Sequence, residues 1–510
     1  MAKQTHDGIN RREFLGRTSR SAIAGGMLGA AAHTPTVLAQ APEQAPPAAA
    51  QPGAGLLVGW STVSITPDKP VQLHGQFHER VSERVLDPCL ATALALERSG
   101  ENGAEQAIMV SCDLVNVQRG VAEDVRKRVA QELPDFDARK LFINCTHTHT
   151  GPTMTVGLYK DPDPGVMSPQ EYAEFFAQKG AQAAVAAWKA RRAGAVSRAA
   201  GHAAVGFNRV AKYKDGSSQM YGKSDRPDFQ GLEGGDDHGV EILFFWDETK
   251  KMTGTVINLA CPSQVVEGQR FVSADFWGPV REQLKSLLGE DLYVYAMVSA
   301  AGDQSPRDLV RRGRNEPSMR DTAGQQEMAR RIVKAVRYAY DTNQTEAVSD
   351  PEFRHHTEEL VLPARKVTDE EAAMACSEIA RVSQSGPPAP ASSEAGVITR
   401  MNDLLERYAT QGEAPVYSMD LHVIRLGDAA IATNPFELYL EYGNEIKARS
   451  LAQQTFLAQL TGDRGKYLPT RAALPGKAYG SRVTENTVGP EGGERLVERT
   501  VEVINSMWEA

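Results

Sequence analysis

Hydrophobic positions recur along residues 56–510 with two different periods. Short apolar runs of strand length alternate with longer segments that have the spacing of amphipathic helices. The runs at 107–115 and 140–146 flank a helical segment at 121–132, a pattern that predicts a β-α-β unit. We therefore expect an α/β domain with a mixed sheet, flanking helices and polar loops at the carboxyl ends of its strands.

The same alternation continues to the end of the chain. Ser168-Pro169-Gln170-Glu171 is a capping box with proline at the first helical position, and it predicts a helix that continues to Arg192. Residues 238–246 and 252–261 predict a hairpin, and 292–299 predict a buried strand. Further helices are predicted at 277–288, 322–340 and 436–449, and further strands at 56–65, 420–433 and 455–460.

Residues 368–415 interrupt this pattern. Two amphipathic helical segments flank the sequence Ser385-Gly-Pro-Pro-Ala-Pro-Ala-Ser-Ser393. Proline, glycine and serine punctuate regular structure, so this segment predicts a helical surface insertion with a flexible tip.

The N-terminus has the pattern of an export signal. Asn10-Arg11-Arg12-Glu13-Phe14-Leu15-Gly16 precedes a weakly apolar run rich in Ala and Gly, and Val37-Leu38-Ala39 offers a cleavage site. This predicts a twin-arginine-type signal peptide at 1–39 and a periplasmic or secreted mature protein. A Pro/Ala-rich linker follows at 40–55, and the domain occupies 56–510. No later apolar run has the length of a membrane-spanning helix.

Charge and cysteine content narrow the function classes. The chain has 56 Lys and Arg against 65 Asp and Glu, a net charge of -9. Without residues 1–39, which hold five basic and two acidic residues, the charge is 51 minus 63, or -12. An acidic protein of this kind argues against nucleic acid or anionic lipid as a partner. The five cysteines have no CxxC spacing, so we expect no disulfide framework.

The most informative candidate for a functional site lies where the apolar run 141–146 ends. The sequence Leu141-Phe-Ile-Asn-Cys-Thr-His-Thr-His-Thr-Gly-Pro152 places His147 and His149 two residues apart. Residues two apart on a strand point to the same face, so both imidazoles can converge on one point. This arrangement suits a metal, or a metal ligand beside a proton-transfer group.

Other polar groups fall at equivalent positions, after strands. Ser305 lies in a Gly-Asp-Gln-Ser-Pro turn, where it is a candidate nucleophile or oxyanion donor. Glu437 is predicted in the first turn of a helix, where it either interacts with the helix dipole or binds a metal. The other residues at strand ends are Asp113 and Tyr467. Taken singly, His74, His78, His202, Asn208-Arg209 and His355-His356 are interpreted as solvated or hydrogen-bonded surface groups.

The order of these motifs resembles the neutral/alkaline non-lysosomal ceramidase family. The resemblance spans about 56–504 and rests on Thr146 to Pro152, Asn208-Arg209, Gly302 to Pro306, Pro435 to Glu437 and the Tyr467 loop. The family binds one zinc ion through two histidines, a glutamate and a tyrosine, and hydrolyses the amide bond of N-acylsphingosines.

The resemblance implies a role for each matching residue. His147, Glu437 and Tyr467 would bind zinc, and His149 would transfer protons. Ser305 matches the catalytic serine of the family, and Arg209 matches its substrate-contacting arginine.

Two departures from the family pattern concern the metal and the domain content. Cys261 stands where the family has its second zinc histidine, so either a Cys261 thiolate completes the site, or His74 or His78 does, or zinc binds weakly or not at all. The family's Ig-like domain is not expected after this catalytic domain.

We therefore expect an exported zinc-dependent hydrolase of an N-acyl amide bond in a lipid or small molecule. The alternatives are a non-catalytic binding protein on the same fold and a hydrolase acting on a different amide or ester.

Overall fold

The computed structural model of the chain describes residues 55–100, 103–311, 318–342, 344–386, 388 and 393–509. The predicted signal peptide at 1–39 lies outside the described residues, as does the linker up to residue 54. Part of the predicted tip of the insertion also lies outside them.

The described residues contain long and short strands interspersed with helices. The strands are β1 Leu56–Ser64, β2 Arg84–Val85, β3 Leu90–Gly100, β4 Gly103–Cys112, β5 Leu141–Cys145, β6 Arg192–His202, β7 Phe207–Asn208, β8 Val210–Tyr213, β9 Ser218–Met220, β10 Phe229–Leu232, β11 Gly239–Asp247, β12 Met252–Leu259, β13 Phe271–Val272, β14 Tyr293–Val298, β15 Gln304–Ser305, β16 Phe353–Pro363, β17 Val416–Leu426, β18 Ala429–Thr433, β19 Glu437–Leu438, β20 Gln454–Ala458 and β21 Tyr467–Leu468. The α-helices are α1 Arg119–Glu132, α2 Pro169–Lys189, α3 Trp277–Leu288, α4 Thr322–Thr342, α5 Asp369–Val382, α6 Ser393–Thr410, α7 Leu440–Arg449 and α8 Pro490–Glu509.

The larger sheet has eight strands in the order β14-β12-β11-β6-β1-β3-β4-β5. The pairs β12–β14 and β4–β5 are parallel, and the other pairs are antiparallel. The predicted β-α-β unit is confirmed as β4-α1-β5, and the predicted hairpin as β11-β12. The capping box at the start of α2 is also confirmed, since the Ser168 side chain accepts a hydrogen bond from the Glu171 amide.

The smaller sheet has four strands in the order β16-β17-β18-β20. Strands β16 and β17 pair in register from Phe353↔Leu426 to Pro363↔Val416. Helices α5 and α6 lie between these two strands in the chain, within residues 368–415.

The two sheets pack face to face through an apolar layer. Side chains such as Phe142, Phe245 and Tyr295 from the larger sheet meet Ile431 and Phe456 from the smaller one. Helices α1 to α4 cover the other face of the larger sheet, and α7 and α8 cover the smaller sheet. The result is a four-layer α/β/β/α arrangement, so the α/β fold class with mixed sheets and flanking helices is confirmed.

The predicted helix at 436–449 begins later than expected. Glu437 and Leu438 form the short strand β19, which pairs with β21, and α7 starts only at Leu440. The Glu437 amide donates to Lys466 O (2.9 Å), and the Gly302 amide donates to Leu438 O (2.7 Å). Because neighbouring loops satisfy these backbone groups, Glu437 is not in the first turn of a helix and has no dipole role there.

The expectation that His355 is solvated is wrong. His355 is 5% exposed, and its ring nitrogens lie 3.0 Å from Gln106 O and 3.2 Å from His422 Nδ1. Its position on β16 turns it toward the larger sheet, although charged residues surround it in the chain. Across the described ranges, no helix is long and apolar enough to cross a bilayer.

Candidate active site

His147 sits at the centre of a buried polar cluster beyond the end of β5. It is 4% exposed and has a left-handed backbone (φ 62°), which turns the chain sharply after the strand. Its Nδ1 lies 2.9 Å from Val115 O, a contact that places the ring proton on Nδ1. The Nε2 lone pair therefore faces inward, 3.5 Å from Glu437 Oε2 and 3.4 Å from His149 Nε2.

Glu437 and Tyr467 reach the cluster from the two paired strands β19 and β21. They are direct neighbours in the register of this parallel pair. Burial alone would raise the pKa of Glu437, but His147, Arg209 and Tyr467 outweigh it and hold the pKa at about 2. Burial and the charge of Glu437 raise the pKa of Tyr467 well above its ordinary value. At neutral pH the site thus combines a carboxylate with a protonated phenol.

Arg209 links these groups from the segment between β7 and β8. It is 2% exposed, and Nη2 donates to Gly302 O (2.8 Å) and the Tyr467 hydroxyl (3.3 Å) and lies 3.7 Å from Glu437 Oε2. Nη1 donates to Gln264 Oε1 at 3.1 Å. The interpretation of Arg209 as a surface group, which its sequence context alone suggested, is wrong. Its buried charge instead faces the carboxylate and the phenol.

His149 is held on two sides by residues that sequence reasoning missed. Gln264 Nε2 lies 2.9 Å from His149 Nε2, and Glu267 Oε2 lies 3.4 Å from Nδ1. Burial lowers the pKa of His149 to about 4, so the ring is neutral at neutral pH. Arg307 forms an ion pair with Glu267. The only sequence signal for Gln264 and Glu267 is their position in a polar segment shortly after β12.

His74 also lies beside the cluster instead of on the surface. It is buried, and both His147 and His149 contribute to lowering its pKa, after the larger effect of burial. Arg80 Nη2 donates at 2.7 Å to the carbonyl oxygens of both His74 and His149, which ties the two loops together.

Ser305 lies on a neighbouring turn but does not bond to the cluster. It pairs with Phe207 through β15 and β7, and its Oγ accepts a hydrogen bond from the Arg307 amide (3.1 Å). Its hydroxyl makes no hydrogen bond to His147, His149, Arg209, Glu437 or Tyr467, all of which are among the described residues. In the same turn, Asp303 accepts from the Leu440 amide (2.9 Å).

Cys261 and Asp113 do not join the cluster. The Cys261 thiol is buried in the apolar core and donates to Val205 O (3.1 Å), so the geometry gives no support to a thiolate ligand. Burial also raises the pKa of this thiol well above its ordinary value. Asp113 forms a buried ion pair with Arg281 (2.6 Å), which fixes α3 to the end of β4.

The candidate metal ligands of the cluster are of mixed chemical type. Among the described residues, no three His, Cys, Asp or Glu side chains are grouped as a metal site. His147 and Glu437 supply one nitrogen and one carboxylate, and the Tyr467 hydroxyl is the third donor. The His147 Nδ1 contact with a backbone carbonyl oxygen is the contact that typically orients a metal-binding histidine, and its Nε2 faces the Glu437 carboxylate.

Comparisons with solved structures identify the fold. The chain is similar to neutral ceramidase from Pseudomonas aeruginosa, with a TM-score of 0.66 and 15% identity over 90% of this chain and 75% of that one. It is also similar to a ceramidase complexed with C2, with a TM-score of 0.65 and 14% identity over 90% of this chain and 76% of that one. No family model matches the chain, and a search of curated proteins finds no relative. The chain therefore has a ceramidase-like fold.

Proposed function

We propose that this protein is an exported, zinc-dependent hydrolase of N-acyl amide bonds with a ceramidase-like substrate. The observation that carries the proposal is the meeting of His147, His149, Arg209, Glu437 and Tyr467 in one buried cluster. These residues come from four separate chain segments, and such a convergence of ionisable groups is typical of an active site. The ceramidase-like fold supports the same reaction class.

The donor set fits a catalytic zinc ion. Catalytic zinc takes three protein ligands and keeps one position open. His147 Nε2, Glu437 and the Tyr467 hydroxyl would provide those three ligands, without a thiolate from Cys261. A zinc ion held there supplies a Lewis acid for the amide carbonyl oxygen.

The other residues of the site have proposed roles in stabilising charge, transferring protons and positioning or attacking the carbonyl group. Arg209 keeps a permanent positive charge beside Tyr467, so it can stabilise negative charge that develops on the carbonyl oxygen. His149 is neutral and faces Glu267, which orients the ring for proton transfer. Ser305 either positions the carbonyl or attacks it. An acyl-enzyme found by mass spectrometry, and absent in Ser305→Ala, would assign it as the nucleophile.

The test is turnover of a fluorogenic N-acyl lipid together with the zinc content of the purified protein. We expect near-stoichiometric zinc and chelator-sensitive turnover in the wild type, and loss of both in His147→Ala. His202→Ala, which removes an exposed histidine at the end of β6, is the matched control and should retain both.

A folded, metal-free protein that turns over no amide or ester would contradict the proposal. Retention of a lipid by such a protein would instead favour a binding function. Turnover of esters alone would place the chain among hydrolases of a different bond.

A further inference from the structure

Gln264 joins two residues of the candidate active site, and the proposed function does not use it. It is 2% exposed and lies in the segment between β12 and β13. One end of its side-chain amide contacts Arg209, and the other end contacts His149. An amide has an acceptor end and a donor end, so its orientation determines how each neighbour can hydrogen-bond.

The oxygen end of the Gln264 amide faces Arg209. Arg209 Nη1 donates to Gln264 Oε1 at 3.1 Å, and the Tyr221 hydroxyl donates to the same oxygen at 3.3 Å. A guanidinium group can only donate, so the opposite orientation of the amide would place two donors against each other. Arg209 therefore determines which way the Gln264 amide points.

The nitrogen end of the same amide faces the ring of His149. Gln264 Nε2 lies 2.9 Å from His149 Nε2. An amide NH2 group can only donate, so His149 Nε2 is the acceptor and carries no proton. The proton of the neutral ring is then on Nδ1, which lies 3.4 Å from the carboxylate oxygen Oε2 of Glu267. The neighbours on both sides of the ring thus favour the same tautomer.

The other tautomer of His149 would have a different partner. His149 Nε2 also lies 3.4 Å from His147 Nε2, and the His147 proton is on Nδ1, toward Val115 O. A proton on His149 Nε2 could therefore be donated to the His147 lone pair, which the proposed function assigns to zinc. The shorter contact with Gln264 opposes this tautomer.

We propose that Gln264 is a positioning residue that fixes His149 in the tautomer with its proton on Nδ1. The inference rests on the proposed amide hydrolysis, because it assigns the atom of His149 that accepts the proton. A proton from the attacking water or hydroxyl group adds to the Nε2 lone pair and takes the place of the Gln264 hydrogen bond. The ring, then a cation beside Glu267, passes that proton to the departing nitrogen.

The tautomer can be measured without any turnover. The histidine rings of the purified protein are labelled with ¹⁵N, and the His149 signals are identified by their loss in His149→Gln. At neutral pH we expect the wild-type Nε2 to have the chemical shift of an unprotonated nitrogen and Nδ1 that of a protonated one. The opposite pattern in the wild type would overturn the proposal.

Gln264→Glu changes the donor end of the side chain to an acceptor at nearly constant shape. The introduced carboxylate can still accept from Arg209, but it now faces His149 Nε2 with an oxygen. We expect His149 Nε2 to be protonated in this variant. We also expect kcat to fall at least 10-fold, because proton transfer by a positioned group contributes about 10²–10⁴-fold. Gln131→Glu, at an exposed position on α1, is the matched control and should change neither quantity.

Gln264→Met removes both hydrogen bonds and keeps the length of the side chain. We expect the fraction of His149 with a proton on Nε2 to rise in this variant as well. An Nε2 that stays unprotonated in both variants would overturn the proposal, even if kcat falls, because Gln264 would then have only a structural role. A wild type with the expected tautomer but no turnover of amides or esters would contradict the proposed function and not the tautomer assignment.

Discussion

At the scale of single residues, the site depends on strained backbone positions. His147 (φ 62°) and Lys466 (φ 59°) both adopt the left-handed conformation, although neither is glycine. Such positions cost about 1–3 kcal/mol each and persist where the surrounding structure determines them. Lys466 directly precedes Tyr467, and its carbonyl accepts from the Glu437 amide (2.9 Å). The strain therefore lies where the ligand candidates are positioned.

A substitution at Gly75 tests whether turnover depends on the position of the His149 ring. Gly75 has φ 98°, and a Cβ atom there would lie 2.3 Å from the His149 ring. We expect Gly75→Ala to displace the ring and to lower kcat at least 10-fold, because proton transfer depends on its position. Gly165 has a similar backbone angle (φ 90°) but open space around it, so Gly165→Ala is the matched control.

The measurement compares kcat and thermal midpoints for both variants. Both should lose stability from the backbone strain, by about 1 kcal/mol or more. Only Gly75→Ala should lose activity. Equal activity in the two variants would show that the His149 position does not matter for turnover.

The membership of a single residue in the candidate site was predictable where that residue lies in a recognisable motif. His147 and His149 share a short pattern that follows an apolar run, and their Nε2 atoms lie 3.4 Å apart as the pattern predicts. Both lie beyond the end of β5, so the turn at His147, and not strand geometry, brings the rings together. Gln264 and Glu267 carry no such pattern. Their partner His149 comes from a distant segment, and glutamine and glutamate at such positions are ordinary surface residues in a sequence.

At the scale of elements, two buried histidines join adjacent strands of the smaller sheet. His355 on β16 and His422 on β17 lie 3.2 Å apart through ring nitrogens. Burial lowers the pKa of His355 from 6.5 to about 3, and lowers that of His422 well below 6.5. In the folded state both rings are therefore neutral at neutral pH.

These pKa shifts predict that the folded state loses stability in acid. Below pH 6.5 the unfolded chain protonates both histidines while the folded chain does not, so stability falls as the pH drops toward about 3. Each histidine contributes a loss of about 1.4 kcal/mol per pH unit in that range. The free energy of unfolding, measured by urea denaturation at pH 7, 6 and 5, gives the slope of stability against pH. This slope should be smaller for His422→Gln than for the wild type. His78→Gln removes an exposed histidine and should leave the slope unchanged. Equal slopes in all three proteins would contradict this origin of the acid sensitivity.

Element prediction succeeded where apolar periodicity was strong. Helix α3 and the hairpin β11-β12 have clear patterns and lie where they are predicted. Strand β6 is rich in alanine and glycine, which have low strand propensity, and only its pairing with β11 and β1 makes it a strand. The sequence pattern around Glu437 predicts a helix, but the backbone hydrogen bond to Lys466 places Glu437 in a short strand.

At the scale of the whole molecule, the apolar layer between the two sheets couples their stability. Phe456 is fully buried in this layer. We expect Phe456→Ala to lower the free energy of unfolding by about 3–5 kcal/mol, because it leaves a cavity between the sheets. Leu451→Ala, at a half-exposed position after α7, should cost much less.

Fluorescence and circular dichroism during urea unfolding provide the measurement. Both probes should report one shared transition in the wild type and in both variants, because the layer belongs to both sheets. Two separate transitions would show that the sheets unfold independently.

The cluster at the ends of the two sheets also determines when activity can first appear. His147 follows a strand of the larger sheet, whereas Glu437 and Tyr467 follow strands of the smaller one. A growing chain carries the first histidine long before Tyr467 is synthesised, so no partial product contains the complete site. We therefore expect the proposed hydrolase activity to appear only in the finished fold. The finished fold is also the state that the proposed twin-arginine route carries across a membrane.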